Sequence, residues 1–156
     1  MKQSLIDLDK TLLPWLGRTM KGIDLFIADF FHERGIELTK VQLILLRVLE
    51  KNDGQPQQNL AFITNRDKAS LTRLVNTMEN KNLVTRVQSK EDKRINRIYI
   101  TDLGRESLKN ALPIIGEAIK TIQHDISVEE IEQTKRVLRK ISNNINAEEL
   151  TAPLNN

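Results

Sequence analysis

The stretch from Leu60 to Gly104, LAFITNRDKASLTRLVNTMENKNLVTRVQSKEDKRINRIYITDLG, constrains the fold of this chain more than any other. Its apolar spacing reads as a short helix, a tight turn, a second helix with a polar and basic start, and then a β-hairpin. The short helix is expected from about Gln57 to Ile63. Asp67 is a good N-cap for the next, which runs to about Asn80 with Leu71, Leu74, Val75 and Met78 facing inward. Val84 to Gln88 and Asn96 to Ile100 form the two strands, with Ile98 and Ile100 alternating inward. Between them Ser89 to Arg94 is polar and charged throughout, so it has nothing to bury and is expected to project.

That order of elements is the outline of a winged helix-turn-helix. A helix fits the major groove of duplex DNA, and a thin basic loop reaches the minor groove or the phosphates. Charge supports the placement. The whole chain has 24 Lys and Arg against 21 Asp and Glu, a net of only +3. Between Asn65 and Arg97, however, stand nine bases and four acids, a net of +5 that leaves −2 for the remainder. A charge run is often no more than a solvated face. Here it falls on the two elements a winged helix presents to DNA, where Lys and Arg neutralise phosphates and release counterions.

The apolar spacing is helical almost everywhere else. Leu16, Met20, Ile23, Ile27 and Phe30 form one face of a long first helix, with Leu5, Leu8 and Leu12 extending the stripe backward. Pro14 is expected to kink this helix or to start its main part, because it has no backbone donor. A second helix begins at Thr39, where Thr39 and Gln42 form a capping-box pair, and stops before the Asn52-Asp53-Gly54 turn. After the hairpin Thr101 caps a fifth helix carrying Leu108, Leu112, Ile115, Ile119, Ile122 and Ile126, bent at Pro113. Ser127 and Glu130 make a second capping box ahead of a sixth, with Ile131, Leu138, Ile141 and Ile145. The tail after Glu149 looks frayed.

The fold class is therefore mainly α with a small β-hairpin wing, a winged helix-turn-helix core flanked by N- and C-terminal dimerisation helices. The first, fifth and sixth helices carry stripes longer than a domain of this size buries alone, and pairing with a second copy resolves the excess. An intramolecular bundle is the alternative. Leu16, Ile115, Ile119, Ile122, Leu138 and Ile141 are the interface candidates. The expected boundaries are 1–36 for an N-terminal dimerisation helix, 37–101 for the DNA-binding domain, 102–147 for C-terminal dimerisation helices and 148–156 for a flexible tail.

Four fragments carry a resemblance: LTKVQLILLRVL (Leu38 to Leu49), LTRLVNTMENKNLVTR (Leu71 to Arg86), EDKRINRIYITDLGRE (Glu91 to Glu106) and SVEEIEQTKRVLRKI (Ser127 to Ile141). Together, and in this order, they resemble the multiple-antibiotic-resistance-regulator (MarR) family of bacterial winged-helix transcription factors. The resemblance implies a homodimer built from the terminal helices that binds a pseudo-palindromic operator in double-stranded DNA, usually as a repressor released by a small ligand. Two positions depart from the family pattern. The glycine after the recognition helix is Asn82 here, which also accepts the left-handed conformation. The wing motif, commonly Asp-Arg-Arg, is Asp92-Lys93-Arg94, which puts a point charge where a forked guanidinium is common.

On the recognition helix Lys68, Ser70, Thr72, Arg73 and Asn76 are expected to reach base edges or phosphates, and Arg73 is the best candidate for a bidentate guanine contact. At the wing Arg94 is the expected minor-groove or phosphate contact, helped by Lys90 and Lys93. Asp92 is read as structural, because a carboxylate beside DNA is repelled unless paired; it is expected to hold Arg94 or Arg86. Gln57 and Gln58 are weaker candidates for phosphate contacts.

Other classes have less support. His32 and His124 lie on different helices, the chain has no Cys, and no glycine-rich phosphate loop is present, so no catalytic or metal site is expected. The longest purely aliphatic run is Leu43 to Leu46 and Met1 to Lys10 lacks the apolar core of a secretory signal, so the expectation is a cytoplasmic protein that does not enter a membrane. The rival function is a winged-helix module that binds protein or RNA without an operator. It would show an apolar surface from Asp67 to Asn76, where this chain is basic and polar. No cofactor is expected. For a small aromatic or amphipathic effector, Trp15, Phe26, Phe30 and Phe31 are placed to line a cavity, although aromatics at helical spacing more often form core.

Overall fold

The computed structural model describes residues 7–64 and 66–145. Leu5, Asn65 and the expected tail 148–156 lie outside the described residues. The chain divides into two compact units between Lys40 and Val41.

In the first unit a 3-10 turn, Leu8–Lys10, precedes α1, Leu13–Glu33. Pro14 lies in the first turn of α1, where a missing N–H costs nothing, so it starts the helix rather than kinking it. Leu8 accordingly does not extend the α1 stripe, because the chain is extended at Thr11, whereas Leu12 caps α1 in α-helical conformation and accepts from Leu16 N–H at 2.9 Å. Towards the other end, Phe30 and Phe31 are buried, and the Phe26 and Phe30 rings meet at 5.2 Å between centroids. The Arg34 guanidinium lies 3.3 Å from the centre of the Phe30 ring.

Beginning at the boundary between the units, α2, Lys40–Lys51, brings Leu45, Leu46 and Leu49, all fully buried, into the second unit. Next come β1, Gln55–Pro56, and α3, Gln57–Ile63, followed by α4, Lys68–Asn80. β2, Val84–Gln88, and β3, Asn96–Ile100, then lead into α5, Asp102–Ile122, and α6, Val128–Asn144. The sheet has three antiparallel strands in the order β1-β3-β2, not two. Gln55 pairs with Ile98 and Pro56 with Arg97, so β1 covers one edge of the wing. A two-residue strand containing a proline lacks any alternation to detect, and Pro is tolerated because this strand is an edge.

Leu60 of α3, Leu71, Val75 and Met78 of α4, Ile98 of β3 and Leu108 of α5 complete the core with those α2 leucines. Two backbone devices fix how elements meet there. Gly104, in the first turn of α5, lies so close to Leu83 that a Cβ would sit 2.2 Å from the Leu83 carbonyl oxygen. Asp53, in the turn before β1, accepts from the N–H groups of Ile100 at 2.9 Å and Gly54 at 3.0 Å through Oδ1, and from the Arg105 guanidinium at 2.9 Å through Oδ2. That one carboxylate joins the turn, the end of β3 and the start of α5.

α5 is capped by Thr101, whose hydroxyl accepts from Gly104 N–H at 3.0 Å, and it continues through Pro113. The Ser127–Glu130 capping box is fully formed at the start of α6. No residue of α6 is buried.

Candidate nucleic-acid interface

The Asp67 side chain starts α4 by accepting from Ser70 N–H at 2.8 Å and from the Ser70 hydroxyl at 2.7 Å. Those two bonds, the backbone one first, hold the Asp67 carboxyl below its ordinary value. The Ser70 hydroxyl proton is thereby committed, and its oxygen accepts from Arg73 Nη2 at 3.1 Å. Residues three apart are neighbours on a helix, so Asp67, Ser70, Arg73, Asn76 and Glu79 follow one another along an inclined row that winds around α4.

The far end of that row is joined to the wing. Arg86, on β2, directs Nη2 to Asn76 Oδ1 at 2.8 Å and to Glu79 Oε2 at 3.3 Å, while its own N–H donates to Glu79 Oε1 at 3.0 Å. This corrects one expectation: Arg86 is held by α4 and not by Asp92. Asp92 instead accepts from the backbone N–H of Arg94 at 2.9 Å, so it shapes the turn and leaves the Arg94 guanidinium outside its bonding. The residue left out of the sequence reading is Glu79. Its only signal was its place one turn beyond Asn76, and a partner on a strand is invisible to helical periodicity.

Two further assignments change. Thr72 is half-buried; its hydroxyl donates to Lys68 carbonyl at 2.8 Å and accepts from Gln57 Nε2 at 3.0 Å, so it ties α3 to α4 instead of facing outward. Gln57 is correspondingly turned inward, with a buried Oε1 that has no hydrogen-bond partner among the described residues. Gln58, Lys68, Arg73 and Asn76 are exposed, whereas Ser70 is half-buried and bound to its neighbours on α4.

The wing tip is ordered by its own backbone. Ser89 N–H donates to Ile95 carbonyl at 2.8 Å and Ile95 N–H to Asp92 carbonyl at 2.9 Å. Ser89, expected to project, is buried beneath that turn. Lys90, Lys93 and Arg94 are exposed on it. An open groove of about 460 Å³ brings Gln57, Gln58, Lys68 and Arg94 together from α3, α4 and the wing. In that groove the polar and basic groups are set among apolar side chains (Pro56, Ala61, Leu71 and Ile95), and exposed Lys68, Arg73 and Asn76 extend a polar and basic face along α4. Such a face on a helix beside a basic hairpin defines a winged helix-turn-helix regulator that binds DNA.

Comparison with known proteins gives the family. Residues 38–95 match the model of the MarR family. Over 127 residues the chain is 32% identical to the HTH-type transcriptional regulator YdgJ of Bacillus subtilis, covering 81% of this chain and 77% of that one. Its fold is similar to that of a mutant MarR from E. coli complexed with operator DNA, with a TM-score of 0.79 at 16% identity, over 88% of this chain and 98% of that one. A similar likeness, TM-score 0.75 at 17% identity over 84% and 98% of the two chains, is found to Bordetella bronchiseptica BpsR, in a structure concerned with regulation of DNA binding by 6-hydroxynicotinic acid. The chain belongs to the MarR family.

The interface candidates on the terminal helices are not buried in the single chain. Leu16, Ile115, Ile122 and Ile141 are half-buried, while Ile119 and Leu138 are 46% and 41% exposed. Among the aromatics, Phe30 and Phe31 are core, whereas Trp15 is 66% exposed. No described helix is long and apolar enough to cross a membrane, and no described cluster of His, Asp and Glu is built to hold a metal ion.

Proposed function

We propose that the protein acts as a homodimer that places α4 of each copy in successive major grooves of a pseudo-palindromic operator and sets each wing against the flanking backbone. The observation that carries this reading is the exposure of Lys68, Arg73 and Asn76 on α4 and of Lys90, Lys93 and Arg94 on the wing, with Lys68 and Arg94 lining one groove. Arg73 and Asn76 read base edges, and Lys68 and the wing cations bind phosphates or the minor groove. Gln58 adds a phosphate contact from α3. The protein is read as a binder and not a catalyst: His124 sits in an exposed pair with Asp125 far along the chain from His32, and neither adjoins a nucleophile.

The dimer is proposed from α6, which has no fully buried residue in one chain while Val128, Val137 and Leu138 on it and Ile145 at its C-cap lie exposed. Repression relieved by a small aromatic or amphipathic effector is the proposed regulatory mode, supported by BpsR, whose structure concerns regulation of DNA binding by 6-hydroxynicotinic acid. Selection of bound duplexes from a random pool tests the central claim, and the expected product is a symmetric site. Affinity for that site falls by on the order of a thousandfold between about 50 and 200 mM salt as displaced counterions compete back. Binding that ignores salt, or that is equally tight on single-stranded RNA, rejects the reading.

A further inference from the structure

Asn76 is exposed on α4, yet its amide is not free to choose its hydrogen bonds. A guanidinium has only donors, so the atom facing Arg86 Nη2 at 2.8 Å is the carbonyl oxygen, Oδ1. Arg86 is itself immobilised: Glu79 takes its guanidinium with one carboxylate oxygen and its backbone N–H with the other. The oxygen and NH2 of an amide occupy opposite corners of a plane. A carbonyl fixed on the wing therefore leaves the NH2 as the group Asn76 offers outward.

We propose that Arg86 is a specificity-determining residue, which turns Asn76 into a donor-only reader of the major groove. This rests on α4 being the DNA-reading helix. An unconstrained Asn presents oxygen and NH2 together and pairs with adenine, accepting from N6 and donating to N7. Arg86 takes one of the two lone pairs of Oδ1 and fixes the plane of the amide, so turning both Oδ1 and NH2 onto one adenine edge competes with the Arg86 bond, and adenine sets its N6 donor beside the Asn76 NH2. Guanine, with N7 and O6, and thymine, with O4, present acceptors only. The base under Asn76 is then guanine or thymine, chosen by a residue on the wing that touches no base.

The test uses the full-length protein and the duplex it selects from a random pool. Each base pair of that site is replaced in turn, and the symmetric pair of positions whose preference disappears in Asn76→Ala is the one under Asn76. At that position the wild type is expected to favour guanine or thymine over adenine by at least about fivefold, the lower end of what one base contact discriminates. Arg86→Met frees the carbonyl and admits adenine there, with preferences elsewhere unchanged. Asn76→Asp, at an exposed position, keeps one oxygen on Arg86 and offers the other outward, shifting preference to cytosine, whose N4 donates. Wild-type preference for adenine overturns the inference while leaving operator binding intact. So does an Asn76→Ala variant with unchanged preferences, or an Asn76→Asp variant that does not move toward cytosine. If Arg86→Met fails to fold by circular dichroism, the wild-type preference and Asn76→Asp still decide. A wild type with no sequence preference overturns this inference and the proposed function together.

Discussion

At the scale of single residues, the division of labour between helix and wing is directly measurable. Arg73→Ala removes a proposed base contact and is expected to cost about 1–3 kcal/mol on the selected operator and to relax one symmetric pair of positions. Arg94→Ala is expected to weaken operator and scrambled duplex alike and to flatten the salt slope, because its contact is with phosphate or groove width. Isotherms at two salt concentrations separate the two. An unchanged slope for Arg94→Ala reduces the wing tip to a solvated loop. A different position governs folding: Gly104→Ala drives a methyl into the Leu83 carbonyl and is expected to lose about 3 kcal/mol or more in denaturant unfolding. Exposure of Lys68, Arg73 and Arg94 was legible in the sequence, because charged residues at helix-surface and loop-tip positions have nowhere else to go. The roles of Thr72, Gln57, Glu79 and Arg86 were not. Each is decided by a partner on another element, and neither periodicity nor propensity encodes which rotamer crosses a gap of 3 Å between a helix and a strand.

At the scale of elements, what the sequence made plain was punctuation. Asp67, Thr101 and Ser127 each begin a helix as their side-chain oxygens predict, because a cap is a local bond spanning three residues. Asn82 closes α4 at a φ of 55°, with its own N–H donating to Glu79 carbonyl at 2.8 Å and Leu83 N–H donating to Met78 carbonyl at 2.9 Å. That is a Schellman end with Asn in place of glycine. Asn82→Ala is accordingly expected to cost about 1 kcal/mol, the penalty of a Cβ in the left-handed region, measured by thermal unfolding. The caps also give a pH dependence. Hydrogen bonds from Ser70 to Asp67 and from Ser127 to Glu130 hold both carboxyls below their ordinary values. Their stabilisation is thus complete only above the ordinary carboxylate values, from about pH 5–6, and drains away as the pH falls through the lowered values. Glu130→Gln keeps an acceptor without a titrating charge, so an acid titration followed by far-ultraviolet circular dichroism is expected to show a flatter loss of helix than the wild type. What the sequence concealed at this scale was β1, which exists only because Gln55 and Pro56 lie against β3.

At the scale of the whole molecule, the surplus apolar surface on α5 and α6 argues for a second copy. Ile119→Glu is expected to dissociate or unfold the dimer, since a carboxylate enclosed there has no partner. Sedimentation decides, and a monomeric wild type at micromolar concentration removes the proposal. Asp53 has a consequence at this scale. By gripping the end of β3, the turn ahead of β1 and Arg105 of α5 at once, it welds the base of the wing to a long helix. If α5 is also the dimer's spine, the separation of the two wings is written into a rigid strut and not a hinge. The half-site spacing the protein accepts is then narrow: inserting a single base pair at the centre of the operator should cost it far more than changing any one base.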